Sequence, residues 1–125
     1  VRVLVVDDSP AIRARLVSLL QDVEGVSPSE ATGADQALEL VQREGTDLVI
    51  LDLHMPGRSG LEILPLLKAT TSRPLIVVLT SHPTELHRRQ CLALGADYFF
   101  DKSRDFARVL DVIVRPTAGT RPSDA

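Results

Sequence analysis

The sequence predicts an α/β domain built on a doubly wound, five-stranded parallel sheet. Strand-like and helix-like segments alternate five times along 125 residues, the pattern of strands joined by right-handed crossover helices. Three of the strand-like runs, residues 2–6, 48–51 and 75–79, are apolar with little polar interruption, as strands covered by helices on both faces must be. Polar residues close these runs at one end. The first ends in Asp7-Asp8, the second in Asp52 and the third in Thr80-Ser81, while the aromatic segment Tyr98-Phe99-Phe100-Asp101 runs into Lys102.

The elements follow in order. After the strand at 2–6, Ser9 is a candidate N-cap and Pro10 suits the first helical position. Ile12, Leu16, Leu19 and Leu20 then recur on one helical stripe, and Gly25 ends that region. Residues 26–31 read as a short, weaker strand, and Pro28 places it at a sheet edge or a strand entry. A helix over 34–44 turns Ala34, Ala37, Leu38 and Val41 inward and stops at Gly45. After the strand at 48–51, residues 53–60 form a loop containing proline and glycine. A helix at 61–69 follows, with Pro65 inside its pattern as a source of kinking or shortening. Pro83 opens the next helix, which runs to Leu94 before Gly95. A strand at 97–100 and a helix at 105–114, with Phe106, Val109, Leu110 and Ile113 on its apolar stripe, complete the set. Residues 1–115 therefore read as one domain, and residues 116–125, rich in Pro, Thr, Gly and Ser, as a flexible tail or linker stub.

Composition narrows the function. Fourteen basic and 17 acidic residues leave a net charge of −3, and no basic stripe with interleaved aromatics suggests direct nucleic-acid binding. No apolar run approaches the roughly 18 residues that span a bilayer, and no signal peptide opens the chain. The expectation is a cytoplasmic domain with no membrane contact. The single cysteine, Cys91, has no partner for a disulfide or a CxxC site and reads as a buried apolar thiol; Met55 reads as a packing residue.

Ligands of doubly wound sheets sit beyond the carboxyl ends of the strands. Asp7, Asp8, Asp52, Thr80 and Lys102 all fall at that edge. Singly, each has an ordinary explanation: a helix cap, a loop acid, a surface lysine. Together at one edge they form an acidic pocket faced by one ammonium and one hydroxyl. Crowded carboxylates either raise a pKa or recruit a cation. Mg2+ takes oxygen ligands and needs only one or two carboxylates, whereas zinc would call for a cluster of His and Cys. Asp8 is the candidate direct ligand, with Asp7 acting through water and the His54 backbone carbonyl completing the shell. Asp52, alone at the end of the central strand, is the candidate nucleophile for phosphorus. Lys102 would neutralise phosphoryl oxygens and Thr80 would donate a hydrogen bond to one.

VLVVDDS at 3–9, LDLHMPG at 51–57, VVLTS at 77–81 and GADYFFDK at 95–102 resemble the receiver domain of two-component response regulators, over residues 2–115. The resemblance implies a flavodoxin-like (βα)5 fold with strand order 2-1-3-4-5. It implies that Asp52 accepts a phosphoryl group from a sensor histidine kinase or a phosphotransfer protein, with Mg2+ at Asp7, Asp8 and Asp52. Thr80 and Phe99 would be the switch pair, coupled to a face formed by the fourth helix, fifth strand and fifth helix, which is also a candidate homodimer surface. Two departures stand out. Ser103 replaces the proline that often follows the active-site lysine; a non-proline peptide favours trans on general grounds, and the sequence leaves the isomer of the Lys102–Ser103 bond open. The switch aromatic is Phe99 rather than Tyr, while Tyr98 alternates to the opposite side of the strand. His54 and His82 lie two residues after Asp52 and Thr80, where bulk or an imidazole titrating near pH 6.5 would tune phosphate lifetime. His87 reads as a helix-surface residue.

Three functions compete on these residues. The first is a phosphorylatable switch with at most self-phosphorylation from small donors and slow autodephosphorylation. The second is a Mg2+-dependent hydrolase of haloacid-dehalogenase type, which needs a DxD pattern; here His54 stands two after Asp52, and the first strand offers adjacent Asp7-Asp8. The third is a binding domain that keeps the fold alone, against which the full set of buried charges argues, since each costs stability unless paired or used. A stand-alone regulator and the receiver of a longer protein both remain open at this point.

Overall fold

The computed structural model describes residues 1–55, 57–81 and 83–117, with side chains through Ile113. Five strands, β1 (Arg2–Val6), β2 (Ser27–Ala31), β3 (Leu48–Leu51), β4 (Leu75–Thr80) and β5 (Tyr98–Asp101), alternate with α1 (Pro10–Gln21), α2 (Ala34–Glu44), α3 (Gly60–Lys68), α4 (Glu85–Ala93) and α5 (Phe106–Thr117). The strands are parallel in the order β2-β1-β3-β4-β5, the flavodoxin-like topology that the resemblance implied.

The strand period of two divides the core into two layers. Leu4, Val6, Val49, Leu51, Ile76 and Val78 face Ala37, Val41, Ile63, Leu64, Leu67 and Cys91 on the side of α2, α3 and α4. Val3, Val5, Leu48, Ile50, Val77 and Leu79 face Leu16, Leu20, Val109 and Ile113 on the side of α1 and α5. Both faces of β1, β3 and β4 are therefore dry, which is why their sequences do not alternate. The polar strand β2 takes the sheet edge, where Pro28 disturbs least. Tyr98 joins the α1–α5 layer and Phe99 packs against the opposite one, as alternation requires.

Caps set several boundaries. Ser9 accepts from the Ile12 N–H at the start of α1, and Gly45, at φ 76°, ends α2. α4 begins at Glu85 rather than at Pro83, because the Thr84 hydroxyl accepts from the His87 N–H and claims the cap. α3 runs through Pro65 unbroken. Pro65 lies on its exposed side, where water can serve the carbonyl left without an N–H, while Ile63, Leu64 and Leu67 are buried on the other. Cys91 and Met55 are buried, and burial pushes the Cys91 thiol up to about 11, in keeping with an apolar role. The backbone of α5 continues to Thr117, past the expected end at 114.

Gly60, the first residue of α3, lets that helix sit directly on the end of β3. Its N–H donates to the Leu53 carbonyl at 3.1 Å. A Cβ at this position would lie 2.5 Å from the Asp52 carbonyl oxygen and 2.9 Å from Leu53 Cα, both backbone atoms with little freedom to yield. Gly60→Ala is therefore expected to cost about 1–3 kcal/mol in urea unfolding, the usual range for an overpacked interior. Gly33→Ser, whose Cβ meets nothing within 4 Å, should change stability by a few tenths of a kcal/mol.

Candidate functional site

The ladder carries the acids to one edge. The Asp7 N–H donates to the Ala31 carbonyl at 3.3 Å, and the Asp52 N–H to the Val6 carbonyl at 2.9 Å, so both residues leave the sheet side by side. The Lys102 N–H donates to the Thr80 carbonyl at 2.8 Å, which fixes the end of β5 to that of β4. These backbone bonds deliver Asp7, Asp8, Asp52, Thr80 and Lys102 to the same edge, as the sequence predicted.

Within the pocket each acid has its own environment. Asp7 is 2% exposed and Asp52 3%, whereas Asp8 is exposed. Asp7 Oδ1 accepts from the Ser9 N–H at 2.8 Å, and its Oδ2 lies 2.7 Å from Lys102 Nζ. Asp52 Oδ1 accepts from the His54 N–H at 3.2 Å, and its Oδ2 lies 3.4 Å from the same ammonium. Carboxylate oxygens of Asp7, Asp8 and Asp52 come within 4.8 Å of one another. Burial raises the Asp52 carboxyl from its ordinary value, and the Asp7 charge pushes the same way. Lys102 and the His54 N–H pull it back without overcoming the rise. The donors are oxygens and one acid stands open to solvent, a set that suits a hard dication such as Mg2+.

Thr80 is fully buried at the end of β4. The β4–β5 register pairs Val78 with Phe99 and Thr80 with Asp101, so Thr80 and the half-buried Phe99 lie on the same side of the sheet. Ser103 takes a definite part where proline is commoner. Its N–H and hydroxyl both donate to Asp101 Oδ1, at 2.8 and 2.7 Å, and hold that carboxyl below its ordinary value. No peptide bond among the described residues is cis, so the Lys102–Ser103 bond, left open by the sequence, is trans.

The histidines differ from the expectation in one respect. The His54 side chain is exposed next to the pocket, and His82 lies outside the described residues. His87 is half-buried rather than a plain surface residue, its ring 5.8 Å from that of His54 in an edge-on contact. Sequence spacing offers no sign of that contact, because it joins a loop to a helix more than 30 residues away.

Comparison with known proteins agrees with this geometry. The family model of the response regulator receiver domain matches residues 3–114. The chain belongs to the response regulator receiver family. It is 38% identical over 119 residues to the transcriptional activator protein ExaE of Pseudomonas putida, covering 94% of this chain and 55% of that protein. It is 31% identical over 112 residues to sporulation initiation phosphotransferase F of Bacillus subtilis, covering 90% of each. The chain thus spans about half the length of ExaE but nearly all of the phosphotransferase. Among solved structures, a LuxR-family two-component response regulator from Aurantimonas superposes with a TM-score of 0.86 at 28% identity, over 96% of this chain and 86% of that one. The Thermotoga maritima response regulator TrrA, solved in complex with Mg(2+)-BeF, superposes at 0.79 with 34% identity, over 91% and 96%. Receiver membership takes the place of the haloacid-dehalogenase alternative.

The raised Asp52 carboxyl has a consequence for stability. An acid whose folded-state pKa is raised binds its proton more tightly in the folded state, so stability falls as pH rises from the ordinary value of 3.8 through the folded one. Asp52→Asn removes that cost while keeping one acceptor oxygen, for either Lys102 or the His54 N–H. The metal-free variant should melt at a higher temperature than the parent at pH 7, and the gap should close as pH is lowered below the ordinary carboxylate range. A variant that melts lower at pH 7 would show that Asp52 is stabilising as an anion.

Proposed function

We propose that this receiver is a phosphorylatable switch in a two-component phosphorelay, with Asp52 as the phosphoacceptor. The observation that carries the reading is the environment of Asp52: a buried carboxylate at the end of the central strand, one oxygen held by the His54 N–H and the other beside the Lys102 ammonium. In the transfer, an Asp52 carboxylate oxygen forms a bond to phosphorus as the P–N bond of a kinase or phosphotransfer phosphohistidine breaks, and the imidazole leaves with the bonding pair. Lys102, now shared by Asp7 and Asp52, stands ready to neutralise the incoming phosphoryl oxygens, and Thr80 to bind one of them. Asp8 and Asp52, with the His54 carbonyl, would hold Mg2+, and Asp7, with its own oxygens engaged, would contribute through water. The bound ion would supply charge neutralisation for the transferring group.

The output surface in this reading is α4, β5 and α5. Phe99 lines a groove of about 280 Å³ together with Glu85, Arg88, Asp101, Arg104 and Asp105 among others. That face is the candidate site for a protein partner or a second copy of the chain. The reading carries with it a cytoplasmic location, no direct nucleic-acid contact by this domain, and no turnover beyond slow loss of its own phosphate. Among the described residues no helix is long and apolar enough to cross a membrane. The backbone of α5 takes residues 116 and 117 from the expected tail or linker stub, which is proposed for residues 118–125, outside the described ones.

Incubation with Mg2+ and acetyl phosphate should add the mass of one phosphoryl group to the parent and none to Asp52→Ala; labelling of that variant would move the acceptor elsewhere. Lys102→Ala should label far more slowly and lose the chemical-shift response of β5 and α5. Rapid turnover of varied phosphate esters by the parent would instead revive a hydrolase.

His54, and by its spacing His82, are proposed to tune phosphate lifetime without being needed for phosphorylation. A ring at the pocket mouth would either hinder the in-line water or orient it. His54→Ala and His82→Ala should each accept phosphate and then lose it at a rate different from the parent. Identical decay in all three proteins would leave both rings without this role.

A further inference from the structure

We infer that Arg13 is a positioning residue of the acid site, holding the Asp7–Asp8 turn in the shape that binds a dication, with Glu30 holding Arg13 in turn. The inference rests on the proposed Mg2+ site and concerns how that site is kept in shape. Arg13 Nη1 donates to the Asp7 backbone carbonyl at 2.7 Å, and Arg13 Nε donates to Glu30 Oε1 at 3.2 Å. Its side chain is only 14% exposed. A cation in the first turn of α1 opposes the helix dipole, and a largely covered guanidinium costs solvation, so its retention there calls for specific partners. Those partners lie on two other elements. Asp7 closes β1, and Glu30 on β2 is paired in register with Val5 of β1.

The carbonyl that Arg13 grips is the one joining Asp7 to Asp8. Its direction sets the plane of that peptide and so the point from which the Asp8 side chain leaves the backbone. The Asp7 carboxylate is already tied to Ser9 and Lys102. Asp8 is exposed and its carboxylate has no hydrogen bond to another described residue, so the Asp7–Asp8 peptide is what aims it. The guanidinium gives one N–H to the turn and another to Glu30 on β2, a bridge set by its fixed fork that a point-charge ammonium does not reproduce.

Charge and position make opposite predictions for Arg13→Met, which allows a clean test by Mg2+ calorimetry on the whole chain, with Glu30→Ala as its companion. If only charge mattered, Arg13→Met would tighten Mg2+ by removing a nearby cation, and Glu30→Ala would weaken it by removing an anion. A positioning role weakens Mg2+ in both, by about 10-fold or more, the usual scale for residues that orient metal ligands. The double variant should then be no worse than Arg13→Met alone, because both act through one contact. Arg13→Lys, with the charge kept and the fork lost, should fall with Arg13→Met. A second measurement needs no metal: hydrogen exchange of the Ser9 amide, held by Asp7 Oδ1, should quicken in Arg13→Met and Glu30→Ala. Tighter Mg2+ binding in Arg13→Met, or unchanged affinity and exchange in both single variants, overturns the inference. Parent protein that binds no Mg2+, or Asp8→Asn that binds as the parent does, overturns the proposed metal site instead, and the exchange rates then decide the role of Arg13 alone.

Discussion

One ammonium makes the site possible. Asp7 and Asp52 are both almost fully buried with carboxylate oxygens within 4.8 Å, and two like charges at such a separation repel by roughly 3–4 kcal/mol at an effective dielectric of about 20. That is a large part of the ~5–15 kcal/mol that holds a domain folded. Lys102 lies within ion-pair distance of both, closer to Asp7 than to Asp52, and its backbone is bonded to the end of β4. The arrangement leaves a residual imbalance at Asp52, whose carboxyl stays raised despite the ammonium. Among the described residues Lys102 alone is ion-paired with the acids of this pocket, which leaves the pocket prepared to take up more positive charge.

The rest of the fold serves to keep those groups where Lys102 can reach them. Crossover helices place the carboxyl ends of β1, β3, β4 and β5 on one edge, and the register of the ladder sets their depth. Gly60 lets α3 begin against the Asp52 backbone, so the strand end cannot drift. Arg13 and Ser9 close the turn after β1, and Ser103 with Asp101 closes the one after β5. Thr80 shares its sheet face with Phe99, and its carbonyl receives the Lys102 N–H. Asp52 is thus linked through Lys102 to Thr80, which shares its sheet face with Phe99.

Much of this was legible in the chain. The unbroken apolar runs announced strands covered on both faces, and the polar residues closing them announced the edge where a site would lie. Asp7, Asp8, Asp52, Thr80 and Lys102 could be read together because strand ends in a parallel sheet converge whatever the loops do. Gly60, Arg13 and the His54–His87 contact were not legible. Gly60 looked like any loop glycine, since its need for a missing Cβ comes from the Asp52 carbonyl 2.5 Å away. Arg13 carried one faint signal, a cation in the first turn of a helix, but nothing in the sequence named Glu30 or the Asp7 carbonyl as its partners.

The sequence by itself determined the element order, the covered sheet and the set of acid, hydroxyl and ammonium groups, because those follow from periodicity and from which residues close each strand. Tertiary structure alone decided how the charge is shared: that Lys102 serves Asp7 before Asp52, that Asp8 is the acid left open, and that Arg13 grips the turn between the first two acids. Local patterns fix which face a residue occupies. Distances of a few ångströms between side chains from different elements depend on how the helices settle on the sheet, and those distances govern the electrostatics.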